Sequence, residues 1–344
     1  MRAVVIREHG GYEQLRIEDR PRPEPGPGEV RVRVATAGLN HLDTWVRRGV
    51  EGHTFPLPLV PGCDGAGTVD ALGAGAEGLE PGQRVVLAPG YVRGPDAFTA
   101  RGRDHLSPTY GIFGEMRDGT CAEHVIAPRE NVLPLPEHVS FEVAAAFPLA
   151  YLTAWTMLVR RARLEAGESV LVHAAGSGVS TAAVQIARLV GASKVFVTTT
   201  RPWKAKRAKT LGVDGVADTT DPAWPRAVKR LAGGGVDVVI DHVGEATFGG
   251  SLRCLAKGGR LVTCGATTGP KADVNLNLVF FKSLSILGST MGSRGDVFRC
   301  LDLVAAGFLE PVIDDVLVLE EVAEAHRRIE AHEVFGKLVL RVGT

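Results

Sequence analysis

The spacing of apolar and polar residues changes near the middle of the chain. From about Thr153, short runs rich in Val, Ile and Leu alternate with segments whose apolar residues recur at helical spacing. The pattern predicts strands over Ser169–His173, Lys194–Thr199, Val236–Asp241, Gly259–Thr263 and Leu284–Gly288, and helices over Val179–Val190, Pro202–Leu211 and Thr247–Leu255. This alternation predicts an α/β fold with a parallel, doubly wound sheet.

The first 150 residues follow a different pattern, with short strands between turns rich in Gly and Pro. These strands are predicted over Ala3–Ile6, Glu29–Ala35, Gly67–Ala71 and Arg84–Leu87. After about Gly295 the pattern predicts a helix (Val297–Ala306), a strand (Val312–Leu319), a helix (Glu320–Ala331) and a closing strand (Lys337–Val342), which we expect to return to the first domain. The predicted domains are therefore residues 1–150 with 295–344, and residues 151–294.

Length and charge limit the classes of function. A chain of 344 residues is too long for one compact core, and its formal net charge of +0 gives no electrostatic case for nucleic acid or an anionic membrane. The N-terminus lacks an apolar signal core, and no stretch reaches the roughly 18 apolar residues of a membrane span. We expect a cytoplasmic protein that acts on a small molecule.

The segment Ser169–Thr181, SVLVHAAGSGVST, joins a strand, a turn of small residues and a helix start. This geometry binds a dinucleotide pyrophosphate, because small residues admit the phosphates and the N–H groups of the helix start point at their charge. The strict three-glycine fingerprint is not met, and an ordinary turn is the alternative. The predicted coenzyme contacts are Ala175, Ser177, Gly178, Val179 and Ser180.

The end of the second strand in such a unit selects the coenzyme. Sites for NAD place Asp or Glu there, whereas sites for NADP lack the carboxylate and supply Arg or Lys. Here the strand runs into Thr200, Arg201 and Lys204, with no acidic residue. The sequence favours NADP(H), with NAD(H) as the alternative. The alternative interpretation is that Arg201 and Lys204 are solvated charges at the start of a helix.

Ligands of parallel sheets bind beyond the carboxyl ends of the strands. Three glycine-containing segments lie at such ends, Asp241–Gly244, Cys264–Gly269 and Gly288–Ser293, and ordinary turns are the alternative at each. The predicted coenzyme contacts in them are Gly265, Ala266, Thr267, Met291 and Gly292.

Motifs spread over the whole length resemble the medium-chain dehydrogenase/reductase superfamily, which includes zinc alcohol dehydrogenases and quinone oxidoreductases. They are AGLNHLD (37–43), PLVPGCDGAG (58–67), PGQRV (81–85), the stretch Ser169–Gly212 and GKLVL (336–340). The resemblance implies a β-rich, GroES-like catalytic domain and a Rossmann domain. It also implies hydride transfer between a nicotinamide and a carbonyl or activated alkene.

The chain departs from the resemblance where zinc-containing members bind their metals. Asn40 stands in place of Cys, Cys63-Asp64 in place of His-Glu, and Leu149 in place of the third ligand. A catalytic zinc needs three converging protein ligands, so we expect none here. The loop that holds a structural zinc is retained, but its four ligand positions are occupied by Arg93, Asp96, Thr99 and Ser107. No metal ligand is therefore predicted.

Without zinc, another group must polarise the substrate oxygen. Asn40 and Asp43 resemble the Asn-x-x-Asp pattern of zinc-free quinone oxidoreductases, which implies that Asn40 donates a hydrogen bond to this oxygen and that Asp43 orients it. The alternative is that Asn40 is a turn residue and that Asp43 is a structural capping residue. The resemblance also places His41 at the coenzyme pyrophosphate and Thr153 beside the nicotinamide.

Three functions remain open. The first is an NADPH-dependent, zinc-free reductase of quinones, enones or carbonyls, in which the coenzyme supplies hydride to an already electrophilic acceptor. The second is an alcohol dehydrogenase that uses an unrecognised metal or base, and the third is a nucleotide-binding regulator without turnover. The resemblance implies a homodimer or homotetramer paired through the apolar segment Leu284–Thr290, whose edge character favours pairing.

Overall fold

The computed structural model describes residues 1–343 and contains two compact units. The first comprises Met1–Leu152 with residues 292–343, and the second comprises Thr153–Met291. Within residues 1–343, every helix is too short or too polar to span a membrane.

The N-terminal part of the first unit is mainly β-structure. Its strands are β1 (Arg2–Val5), β2 (Arg16–Asp19), β3 (Glu29–Gly38), β4 (Asp64–Leu72), β5 (Arg84–Leu87), β6 (Gly90–Val92), β7 (Tyr110–Ile112), β8 (His124–Pro128) and β9 (Val132–Pro134). Its helices are α1 (His41–Arg48) and α2 (Phe141–Ala146), and α3 (Pro148–Trp155) leads into the second unit.

The second unit alternates strands and helices, as the apolar pattern predicts. Its strands are β10 (Ser169–Val172), β11 (Lys194–Thr199), β12 (Gly215–Asp218), β13 (Val236–Asp241), β14 (Leu255–Thr263) and β15 (Ser285–Gly288). Its helices are α4 (Gly178–Val190), α5 (Pro202–Ala208), α6 (Trp224–Ala232), α7 (Glu245–Cys254) and α8 (Leu276–Lys282). All five strand pairs are parallel, in the order β12-β11-β10-β13-β14-β15.

The last part of the chain returns to the first unit with α9 (Arg294–Ala305), β16 (Ile313–Val318), α10 (Val322–Glu330) and β17 (Lys337–Arg341). Strand β17 pairs antiparallel with β3 and completes a seven-stranded sheet. This pairing places Val339 opposite Gly38, only two residues before Asn40. The C-terminal strand thereby brings its first residue, Lys337, to the candidate site.

The parallel sheet changes its winding direction at β10, which lies between β11 and β13. Ligand sites in such sheets lie at the carboxyl ends of the strands beside this switch point. The turns after β10 and β13 therefore occupy the position at which a dinucleotide binds. The α/β class, the parallel Rossmann sheet and the GroES-like unit are confirmed.

Several element bounds differ from the predicted ones for local reasons. The predicted strand end His173 lies in the turn after β10, and the predicted helix Pro202–Leu211 tightens into a 3-10 turn after Ala208. The pattern gave no indication of β12 or α6. Strand β12 has only four residues, and α6 begins at a Trp-Pro pair after a polar loop.

Candidate active site

The turn after β10 has the geometry of a phosphate cradle. Gly176 adopts a φ of 94° and turns the chain into α4, whose N-cap is Ser177. The Ser177 hydroxyl accepts a hydrogen bond from the Ser180 N–H at 3.0 Å. The first N–H groups of a helix have no acceptor within it, so those of Gly178 and Val179 are available to an anion.

His242, from the turn after β13, contacts the same cradle. Its Nε2 lies 3.2 Å from the Ser177 Oγ and 3.1 Å from the Ser180 Oγ. Burial lowers the pKa of His242, which favours the neutral imidazole. His242 lies in the predicted segment Asp241–Gly244, but its side chain was not predicted to contact the coenzyme, since its only signal was its place at the carboxyl end of a central strand.

A buried polar network joins the ends of three strands behind the cradle. The His173 ring nitrogens lie 2.8 Å from the Thr198 Oγ1 and 2.8 Å from the Ser251 Oγ. The Asp241 carboxylate accepts hydrogen bonds from Ser251 at 2.8 Å and from the Gly244 N–H at 3.0 Å. Burial lowers the pKa of His173, so this network contains a neutral ring and a charged carboxylate.

The segment after β14 lies against the His242 turn. The Thr267 N–H donates to the His242 carbonyl at 3.4 Å, and Gly265 and Ala266 precede it. Ala175 is buried, and its N–H donates to the Thr198 carbonyl at 2.7 Å. The structure therefore brings together the predicted residues of the cradle and those at 265–267.

The end of β11 carries no carboxylate. Thr200 and Arg201 are exposed, and the Arg201 N–H donates to the Thr199 Oγ1 at 3.1 Å. Arg201 is the N-cap of α5 and makes no side-chain capping bond. Lys204 is buried, with its Nζ 5.3 Å from the centre of the Trp203 ring.

Four further predicted residues, Thr153, Met291, His41 and Gly292, lie outside the cradle and the segment 265–267. Thr153 and Met291 are buried at the two ends of the second unit, and Met291 has a positive φ of 44°. His41, the first residue of α1, and Gly292 belong to the first unit. Their contacts with coenzyme stay a prediction.

A buried cluster in the first unit surrounds Asp64. The Asp64 Oδ1 accepts from the Leu149 N–H at 2.9 Å, and its Oδ2 accepts from the Asn40 Nδ2 at 2.8 Å and from the Lys337 Nζ at 3.2 Å. Lys337 also donates to the Asn40 Oδ1. Asp64 and Lys337 are 0% and 3% exposed, so the cluster is a buried ion pair with an amide between its partners.

Asp43 stabilises the local backbone beside this cluster. Its carboxylate accepts hydrogen bonds from the Asn40 N–H at 2.7 Å and from the Gly62 N–H at 3.1 Å. The first contact caps the start of α1, as the capping alternative expects. Burial raises the pKa of Asp43 to about 7, against the opposite effect of these two donors.

The donor set of the cluster does not fit a catalytic zinc. Zinc requires deprotonated thiolate, neutral imidazole or carboxylate ligands. Here the Asp64 carboxylate already accepts from Asn40 and Lys337, and the amide of the first and the ammonium of the second are not zinc ligands of these kinds. Residues 1–343 contain no group of three or more His, Cys, Asp or Glu side chains placed to hold a metal.

Hydrogen bonds connect the loop that resembles a structural-zinc lobe. The Asp96 Oδ1 accepts from the N–H groups of Phe98 and Thr99 at 2.8 Å each, and the Ser107 Oγ lies 3.0 Å from the Thr109 Oγ1. A hydrogen bond from Ser107 also lowers the pKa of Asp96. Asp96, Thr99 and Ser107, three of the four positions that resemble ligands of a structural zinc, are therefore connected to one another by hydrogen bonds.

Comparisons with known proteins agree with this fold and site. The family model of the alcohol dehydrogenase GroES-like domain matches residues 26–137, and that of zinc-binding dehydrogenases matches residues 178–306. The solved structure of an NAD-dependent alcohol dehydrogenase is 50% identical, with a TM-score of 0.95 and full coverage of both chains. The human quinone oxidoreductase is 32% identical over 99% of this chain and 97% of its own. The human synaptic vesicle membrane protein VAT-1 homolog is 31% identical over 100% of this chain and 87% of its own.

A Rossmann sheet with a phosphate cradle and a GroES-like unit define a nicotinamide-dependent class of enzyme. The chain belongs to the medium-chain dehydrogenase/reductase superfamily and is an oxidoreductase. The predicted family and enzyme class are confirmed, and the regulator without turnover is set aside.

Proposed function

We propose that this oxidoreductase transfers hydride between a nicotinamide coenzyme and a quinone, enone or carbonyl compound without a catalytic zinc. The observation that carries this proposal is the cluster of Asn40, Asp64 and Lys337. Asn40 stands at a position that resembles a zinc ligand, and with Lys337, which reaches it from β17, the cluster offers an amide and an ammonium as hydrogen-bond donors. An already electrophilic acceptor needs orientation and a donor to its oxygen, rather than a Lewis acid.

The second unit would hold the coenzyme. The N–H groups of Gly178 and Val179, with the Ser177 hydroxyl, would bind its pyrophosphate. Exposed Ala266 and Thr267, beside the cradle through His242, would contact the ribose and nicotinamide end. Bound coenzyme supplies or accepts the hydride at its nicotinamide ring.

Further coenzyme contacts are proposed for four residues outside the cradle. We assign His41 to the pyrophosphate and Thr153 to the nicotinamide face, and we propose Met291 and Gly292 as further coenzyme contacts after the last strand of the parallel sheet. The cradle residues Ala175 and Ser180 act through the backbone geometry of the turn rather than through charge.

For the substrate oxygen, Asn40 is the proposed donor. Its Nδ2 makes one short hydrogen bond, to Asp64, whereas its contacts with the Gly38 carbonyl and the Cys63 Sγ are 3.4 Å and 3.3 Å long. Thiol sulfur is a weak acceptor, so a substrate oxygen that gains negative charge competes well for this second N–H. Asp43 orients Asn40 through its backbone N–H.

NADP(H) is the proposed coenzyme, because Thr200 and Arg201 stand where an NAD site places a carboxylate. The 50% identical structure of an NAD-dependent alcohol dehydrogenase supports NAD(H) and alcohol oxidation as the second candidate. Fluorescence titration with NADPH and NADH separates the two coenzymes.

The proposed reaction is tested by turnover of 1,4-benzoquinone, a cyclic enone and a primary alcohol, each before and after dialysis against a chelator. We expect quinone or enone reduction that persists without metal. Stoichiometric zinc whose removal abolishes turnover would instead establish the metal-dependent alcohol dehydrogenase.

We also propose that the chain forms a homodimer, or a homotetramer built from such dimers. Strand β15 is an open edge of the parallel sheet, and Ile286 on it is 40% exposed. On the preceding α8, Leu276, Phe280 and Phe281 are 70%, 59% and 73% exposed. Edge pairing with a second copy would cover this apolar surface.

A further inference from the structure

Lys337 is a charged residue in a strand whose other residues are mostly apolar. It is the first residue of β17 and is 3% exposed, and its Nζ contacts only the Asn40 Oδ1 and the Asp64 Oδ2 among the hydrogen bonds found within residues 1–343. A lysine this deeply buried needs a specific partner. Its ammonium is therefore fixed between an amide and a carboxylate.

The ammonium determines the orientation of the Asn40 amide. A lysine has three donors and no acceptor, so only the Oδ1 of Asn40 can face it. The Nδ2 is then directed to the other side, where Asp64 takes one N–H at 2.8 Å. The remaining N–H contacts only the Cys63 Sγ at 3.3 Å, which is a weak acceptor, and the Gly38 carbonyl at 3.4 Å.

The ammonium also balances the charge of the cluster. Asp64 places a buried negative charge beside the amide, which would oppose a second negative charge on a substrate oxygen. Lys337, 3.2 Å from the same carboxylate oxygen, offsets that charge. A donor held by a cation is also a stronger donor, because the bond to Oδ1 withdraws electron density from the amide nitrogen.

We propose that Lys337 is the positioning residue of this site, which fixes and polarises Asn40 as the hydrogen-bond donor to the substrate oxygen. This inference rests on the proposed function and adds a residue to it. Lys337 acts through Asn40 and does not itself touch the substrate. The positive charge beside the proposed donor is thus supplied by the Lys337 side chain, which acts through the Asn40 amide.

The test is a double-mutant cycle of wild type, Lys337→Met, Asp64→Asn and the double variant. It measures kcat and KM for 1,4-benzoquinone, the coenzyme Kd and the Tm. Removal of Lys337 alone leaves Asp64 unpaired and lowers the Tm, whereas the double variant has no buried charge at this pair and recovers stability. Lys194→Met, an exposed lysine at the start of β11, is the matched control.

We expect Lys337→Met to lower kcat about 10- to 100-fold in both the wild-type and the Asp64→Asn backgrounds, which corresponds to a charge-assisted hydrogen bond. The coenzyme Kd should not change, and Lys337→Arg should recover part of kcat. A double variant as active as Asp64→Asn would overturn the inference, because Lys337 would then only balance charge. Wild type without turnover on any quinone or enone would refute the proposed function and this inference together.

Discussion

His326 on α10 makes the stability of the first unit sensitive to acid. Its side chain is 0% exposed, and neither ring nitrogen has a hydrogen-bond partner within residues 1–343. Burial and then the nearby Arg47 guanidinium lower its pKa to about 3, although Glu330 acts in the opposite direction. The folded protein therefore keeps this imidazole neutral where an unfolded chain would protonate it.

The sign and size of the effect follow from proton linkage. An unfolded histidine titrates near pH ~6.5, so between pH ~6.5 and 3 the unfolded chain binds more protons and stability falls as the pH falls. At pH 5 the pH lies about 1.5 units below the unfolded pKa, and each unit is worth about 1.4 kcal/mol. His326 should therefore cost about 2 kcal/mol of unfolding free energy at pH 5 relative to pH 7.5.

Urea unfolding of wild type and His326→Leu at pH 7.5 and pH 5 measures this difference directly. Other titrating groups cancel between the two proteins, so the stability of the variant relative to wild type should rise by about 2 kcal/mol on acidification. His138→Leu, an exposed histidine of the same unit, is the control. Parallel losses of stability in wild type and His326→Leu would refute the reasoning.

Three further predictions concern the coenzyme, the loop and the assembly. Arg201→Ala should weaken NADPH binding about 10- to 100-fold in a fluorescence titration and barely affect NADH, and equal losses would contradict an NADP site. Asp96→Ala removes two backbone hydrogen bonds and should speed proteolysis of the loop 93–109, whereas an unchanged cleavage rate would show that Asp96 does not order it. Ile286→Lys on the β15 edge should yield monomers in sedimentation, unless assembly uses another surface.

The elements of the parallel sheet could be predicted because each depends on local sequence. The segments Lys194–Thr199 (KVFVTT) and Val236–Asp241 (VDVVID) are rich in Val, Ile and Phe, and the structure gives both strands the predicted bounds. The cradle could also be predicted, since a strand, a turn of small residues and a helix start follow one another directly.

The cluster around Asp64 could not be predicted, because its members are far apart in the sequence. Lys337 and Asn40 are separated by 297 residues, and their contact depends on the pairing of β17 with β3. The motif GKLVL pointed to the superfamily, but its lysine gave no signal of a partner. The contacts of His173 could not be predicted for the same reason, since Thr198 on β11 and Ser251 on α7 reach it only once the parallel sheet and its helices have formed.

At the proposed zinc-free site, the buried charge of Asp64 is balanced by Lys337. A carboxylate buried as deeply as Asp64 requires a cation, and the ammonium supplies it without an open coordination position. Such a cation can strengthen a hydrogen bond, but it cannot acidify a bound alcohol as a metal does. On the proposed function, the cluster would therefore favour reduction of acceptors that are already electrophilic over oxidation of unactivated alcohols.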